Sequence, residues 1–134
     1  MIDLRRRDGR ALLIGHRGAS ALAPENTLES ISLAVELGCD LVEFDVHAVA
    51  GTLVLAHDRP HAAGALPTLD DALAFLASTG AGVHLDLKSH GAEREVAAAL
   101  QRAAGEQQHV GGGQSLGDLL ADAGDMIIAS FGLQ

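Results

Sequence analysis

Short, fully apolar runs alternate along this chain with stretches in which apolar residues recur every three or four positions. Residues 11–14, Ala-Leu-Leu-Ile, contain no polar position, the pattern of a strand buried on both faces of a parallel sheet. Pro24-Glu25-Asn26-Thr27 then opens a helix whose apolar positions Leu28, Ile31, Ala34, Val35 and Leu37 follow the helical period until Gly38 ends it. Residues 41–46 predict a second strand, and residues 52–56, after a turn at Gly51, a third that completes a hairpin. A loop over 59–66 leads to Thr68, the expected N-cap of a helix through Leu76 that stops near Gly80, with Asp71 placed as in a capping box. Residues 83–88 alternate strictly, with Val83, Leu85 and Leu87 on one face and His84, Asp86 and Lys88 on the other. A helix over 93–104 follows, then a flexible loop at Gly111-Gly112-Gly113, a short helix capped by Ser115, and a buried strand over 126–131.

Strands and helices in this alternation predict an α/β fold, a parallel sheet with helices outside and right-handed crossovers. The polar residues gather at the C-terminal ends of the strands, where (β/α) barrels carry their active sites. A complete barrel of that type takes about 250 residues. The 134 residues here supply a single domain, 1–134. The expectation is therefore a barrel truncated to about its first four βα units, with a β-hairpin after the second strand.

Composition narrows the functional classes. Hydrophobic residues make up 48% of the chain, too many for a disordered segment, yet there is no Trp or Tyr, so the core must be aliphatic. Nine basic and eighteen acidic residues leave a net charge of -9, which disfavours nucleic acid and stable association with anionic membranes. The single Cys39 allows neither an internal disulfide nor a cysteine zinc site. Arg5-Arg6-Arg7 precedes an apolar run too short for a signal peptide or a membrane span, so a soluble cytoplasmic protein is expected.

The chemistry concentrates in residues 41–58. Glu43 and Asp45 are two residues apart on an otherwise apolar strand and so share a face. Two carboxylates so placed repel each other unless a cation lies between them, and oxygen ligands suit a hard ion, Mg²⁺ or Ca²⁺, better than zinc. An edge strand with acids in water is the competing reading. His57-Asp58 stands at the end of the hairpin, and His16-Arg17 lies between two glycines after the first strand, where a ligand can approach closely. Alone, His16 equally reads as a backbone cap, and Lys88 with Asp86 as a solvated surface pair. His47, His61, His90 and His109 are assigned no role, and His84 a structural one.

Together, His16-Arg17-Gly18, Pro24-Glu25-Asn26-Thr27, Glu43-Phe44-Asp45, His57-Asp58 and Asp86-Leu87-Lys88 closely resemble the glycerophosphodiester phosphodiesterase family, in its motif order and nearly its spacing. The resemblance covers residues 12–89 and continues weakly to Ser130-Phe131. It implies a metal-dependent phosphodiester hydrolase of glycerophospholipid catabolism, which cleaves a small-molecule glycerophosphodiester to an alcohol and glycerol 3-phosphate. By the same resemblance, Glu43, Asp45 and Asp86 bind the divalent cation, Mg²⁺ or Ca²⁺. His16 and His57 are the general acid and base, and Arg17 and Lys88 contact the phosphate. In this family the substrate's own glycerol hydroxyl is thought to attack first.

The chain departs from the family pattern in several places. Asp86 stands where many members carry Glu, and Ala48-Val49-Ala50-Gly51 replaces a more polar turn. The loop after His57-Asp58 is brief, and the strands that close the barrel are missing. That last departure supports an alternative, an inactive half-barrel remnant that binds metal or phosphate without turnover. It also predicts open apolar edges and uncovered barrel-facing side chains, among them Phe44 or its neighbours, and hence a homodimer or aggregation through those edges.

Overall fold

The computed structural model of this chain describes residues 9–104 and, for 126–129, the backbone. It is an α/β fold built on one mixed sheet. In chain order the elements are β1 (Ile14–His16), α1 (Leu28–Glu36), β2 (Leu41–Val49), β3 (Thr52–Leu55), α2 (Leu69–Ala77), β4 (Gly82–Leu87), α3 (Glu93–Ala104) and β5 (Met126–Ala129). β2 lies between β1 and β4 and runs parallel to both, while β3 folds back antiparallel onto β2.

The register of β2 against β4 separates apolar from polar chemistry. Val42, Phe44 and Val46 pair with Val83, Leu85 and Leu87, and this row packs with Ile31 of α1, Leu69, Leu73 and Leu76 of α2, and Val96 and Leu100 of α3. The opposite row pairs Glu43 with His84 and Asp45 with Asp86. One face of the sheet is thus the aliphatic core under the helices, and the other carries the ionisable groups. Of Phe44 and its neighbours, Phe44 is fully buried in the helix-covered core, and it is Glu43 and Asp45 that take the opposite face. The strand parity of Phe44 is opposite to that of the acids, so the two cannot share a face.

Two expectations are corrected. The strand at 126–131 was expected to run parallel, but β5 is antiparallel to β4. A short apolar run specifies a strand but carries no signal of its direction, which depends on the path of the preceding connection. The first strand begins later than its apolar run, and Leu13 and Ile14 are 51% and 49% exposed rather than buried on both faces. Among the described residues β1 pairs on one side only, with β2, so this run lies at the sheet edge. The arginine triplet, the glycine loop at 111–113, the helix capped by Ser115 and the Ser130-Phe131 pair lie outside the described residues.

Local chemistry sets the element ends near the site. Thr27 caps α1 by accepting the Ser30 N–H at 3.1 Å, and Ser30 Oγ accepts the Thr27 N–H at 3.3 Å, closing a capping box. Thr68 caps α2 by accepting the Asp71 N–H. The hairpin turns through Ala50 and Gly51, both at positive φ (+49° and +81°), as a tight two-residue hairpin requires. Among the described residues, no helix is long and apolar enough to cross a membrane.

Candidate active site

β2 supplies the floor of the site. Glu43, Asp45 and His47 alternate along its polar face and are only 7%, 2% and 5% exposed. Burial of two acids and an imidazole in a row is costly unless each finds partners, and the flanking segments supply them.

The first of these segments follows β1. His16 ends that strand, its Nε2 3.9 Å from Glu43 Oε2, with the side chain largely exposed. Arg17 then takes a left-handed backbone (φ +54°) that turns its N–H onto Glu43 Oε2 at 2.9 Å, and Gly18 donates to the Glu43 carbonyl at 3.1 Å. Gly18 must remain a glycine, because a Cβ there would overlap Ser30 of α1. The chain therefore passes close over Glu43, which aims the Arg17 side chain across the site.

Asn26 is the second such element, also left-handed (φ +55°) and 3% exposed. Its amide donates from Nδ2 to Asp45 Oδ2 at 3.0 Å and accepts the Asp45 N–H on Oδ1 at 3.0 Å. Its own N–H donates to the Arg17 carbonyl. One asparagine therefore locks the loop after β1 to the central acid.

Asp45 is where the contacts meet. Its Oδ2 also lies 3.2 Å from Arg17 Nε and 3.2 Å from His57 Nδ1, and its Oδ1 lies 3.5 Å from Lys88 Nζ. Burial pushes this carboxyl up, but the Asn26 amide, the Lys88 and Arg17 charges and the His57 bond together hold it below the ordinary aspartate value of 3.8. Lys88 sits 2.7 Å from Asp86 Oδ2, and that bond, ahead of the Asp45 charge, raises its pKa against the opposing effect of partial burial. Arg17 is bound to Glu25 at 2.7 Å, which chiefly raises its pKa, and its Nη2 lies 3.4 Å from His57 Nε2.

Glu43, Asp45 and Asp86 each present an oxygen to one point, all within 4.8 Å of one another. The donor set is oxygen only and two of the three carboxylates are buried, so it fits a hard divalent cation and not a soft one. His16, Arg17, His57 and Lys88 surround this cluster. His84 is in register with Glu43 but does not belong to the converging ligand group. His61 and His90 are exposed, and His109 lies outside the described residues.

Sequence reasoning missed His47. Assigned no role from the sequence, it is a buried residue of β2 whose Nε2 meets the His57 carbonyl at 3.1 Å. The signal was present: position 47 has the same strand parity as 43 and 45.

Comparison with known proteins follows the same lines. Residues 16–72 match the model of the glycerophosphoryl diester phosphodiesterase family. A glycerophosphodiester phosphodiesterase of Caldanaerobacter subterraneus subsp. tengcongensis is 46% identical over 51 residues, 37% of this chain and 21% of that relative. The solved glycerophosphodiester phosphodiesterase of Agrobacterium tumefaciens superposes with a TM-score of 0.61 at 31% identity, covering 69% of this chain and 53% of that one. That of Parabacteroides distasonis gives 0.55 at 26% identity, covering 69% and 51%. The structural match thus spans about half the length of these solved relatives, and the sequence match about a fifth of the curated ones.

Proposed function

We propose, from the premise that residues 16–72 of this chain belong to the glycerophosphoryl diester phosphodiesterase family, that the site is a metal-dependent phosphodiester hydrolase. Its substrate is a glycerophosphodiester, cleaved to an alcohol and glycerol 3-phosphate. The observation that carries this reading is Asp45, one buried carboxylate shared by an acid cluster, a histidine, an arginine and a lysine. On this reading the chain is the N-terminal part of a (β/α) barrel, working on a small molecule in the cytoplasm.

Glu43, Asp45 and Asp86 would hold Mg²⁺ or Ca²⁺, which when bound supplies positive charge against the phosphoryl oxygens. Arg17 and Lys88 add two fixed cations for the charge that develops on phosphorus. His57 donates Nδ1–H to Asp45, so its Nε2 is the basic atom and takes the proton of the attacking hydroxyl. Nε2 now faces Arg17, and a bound phosphate would compete for that guanidinium and free the lone pair. His16, exposed at the rim, gives its proton to the departing alkoxide as the phosphorus–oxygen bond breaks, leaving a cyclic phosphate. Water, deprotonated by His16, then opens that ring while His57 returns its proton to the glycerol oxygen, giving glycerol 3-phosphate.

A second reading is that the same residues bind metal or phosphate without turnover. Steady-state hydrolysis of glycerophosphocholine with Mg²⁺ or Ca²⁺ separates the two. Turnover that EDTA and Asp45→Ala both abolish supports the hydrolase. Metal binding with no turnover supports the second reading, and turnover indifferent to both treatments contradicts both.

A further inference from the structure

Asp45 fixes the His57 ring, but a ring is only as well aimed as the backbone that carries it. The β2–β3 ladder ends at the pair Val46 and Leu55, so His57 lies two residues beyond the last paired position. Past it the chain enters an exposed stretch, His57 to Arg59. Besides the ring's own bond to Asp45, two bonds tie the backbone of this segment back to β2. Ala56 donates its N–H to the Asp45 carbonyl at 3.3 Å, and the His57 carbonyl meets His47 Nε2 at 3.1 Å. A carbonyl can only accept, so Nε2 of His47 carries a proton and donates it.

The rest of His47 is poorly served. It is 5% exposed, and among the described residues its Nδ1 has no hydrogen-bond partner. A buried strand position is satisfied by a β-branched apolar side chain without an orphaned nitrogen. What the imidazole contributes here is its one completed bond, and that bond ends on the residue whose ring lies 3.2 Å from Asp45.

We propose that His47 is a positioning residue for His57: its Nε2–H holds the His57 carbonyl, and so fixes the main chain from which the His57 ring reaches Asp45. Consecutive residues on the polar face of β2 thus grip residue 57 at both ends, Asp45 by the ring and His47 by the backbone. The inference rests on the reading of His57 as the proton acceptor, and its test is built so that the two can fail separately.

The full chain, ¹⁵N-labelled at histidine, is compared with His47→Leu, which removes the donor, and His47→Gln, which restores an N–H at similar reach. His47→Met serves the same comparison should the leucine variant not fold. Two-bond ¹⁵N–¹H spectra report the tautomer of the His57 ring. The parent should show a single Nδ1–H form, the leucine variant an exchange-averaged ring, and the glutamine variant the parent pattern. kcat on glycerophosphocholine should fall about tenfold to a hundredfold in the leucine variant with KM nearly unchanged, and recover with glutamine. Mg²⁺ affinity should stay within about twofold of the parent, because misplacing one general base leaves the ligand carboxylates where they are. A leucine variant with parental His57 signals, or a glutamine variant no better than leucine, overturns the proposal. A parent chain without turnover overturns the hydrolase reading alone, and the ring signals then still decide the role of His47.

Discussion

Removing the Asn26 side chain should destabilise this protein more than any surface change. Asn26→Ala leaves the Asp45 N–H without its acceptor in a position 2% exposed, and strips one hydrogen bond from the Asp45 carboxylate. An orphaned buried amide costs about 1–3 kcal/mol and a bond to a charged group contributes about 1.5–3 kcal/mol. The left-handed backbone at Asn26 (φ +55°) adds about 1 kcal/mol for alanine that glycine does not carry. Allowing for overlap between these effects, the expected loss is about 3–5 kcal/mol for Asn26→Ala and about 1 kcal/mol less for Asn26→Gly. That is a large part of the about 5–15 kcal/mol that holds a typical domain folded. Urea denaturation of the two variants beside the parent measures it. The pH dependence gives an independent check. The folded pKa of Asp45 lies below 3.8, so its stabilising contribution is fully present above 3.8 and lost as pH falls through the lowered folded value. Without Asn26 the folded value moves up, so the gap between parent and variant should be widest near neutrality and narrow below pH 3.8. A loss under about 1 kcal/mol in both variants, or a glycine variant no better than alanine, would refute the clamp.

Ala50 occupies a left-handed turn position that asparagine tolerates better than alanine, so Ala50→Asn should stabilise the hairpin by about 0.5–1 kcal/mol; an unchanged denaturation midpoint would count against the turn assignment. The exposed apolar edge at Leu13 and Ile14 should drive self-association, and sedimentation at low micromolar concentration should show species larger than a monomer that Ile14→Lys reverts. A sharp monomer boundary for the parent would show that this edge needs no partner.

Much of the polar face was legible from strand parity alone. Glu43 and Asp45 on one strand and Asp86 on another must share a face once the strands pair in register, and they do. The same parity brings in His47 and sends Phe44 to the helix side. His47 was left out because the strand was ended at residue 46, whereas it runs to Val49 and continues through the hairpin. The two-sided clamp of Asn26 on Asp45 depends on a left-handed backbone that no residue pattern specifies. The direction of β5, antiparallel to β4, was not legible either, since a short apolar run carries no signal of its direction. Exposure of Leu13 and Ile14 followed from which strand is an edge, a property of the assembled sheet and not of the run itself.

The central claim is that Glu43, Asp45 and Asp86 act as one site for a hard divalent ion. Calorimetric titration of the folded chain with Mg²⁺ and Ca²⁺ tests it most directly, with Glu43→Gln, Asp45→Asn and Asp86→Asn alongside. The account predicts one ion per chain, displaced by EDTA, with affinity sharply reduced in each variant while the fold is retained. Absence of binding by the parent, or binding that any of the three substitutions leaves unchanged, would contradict it.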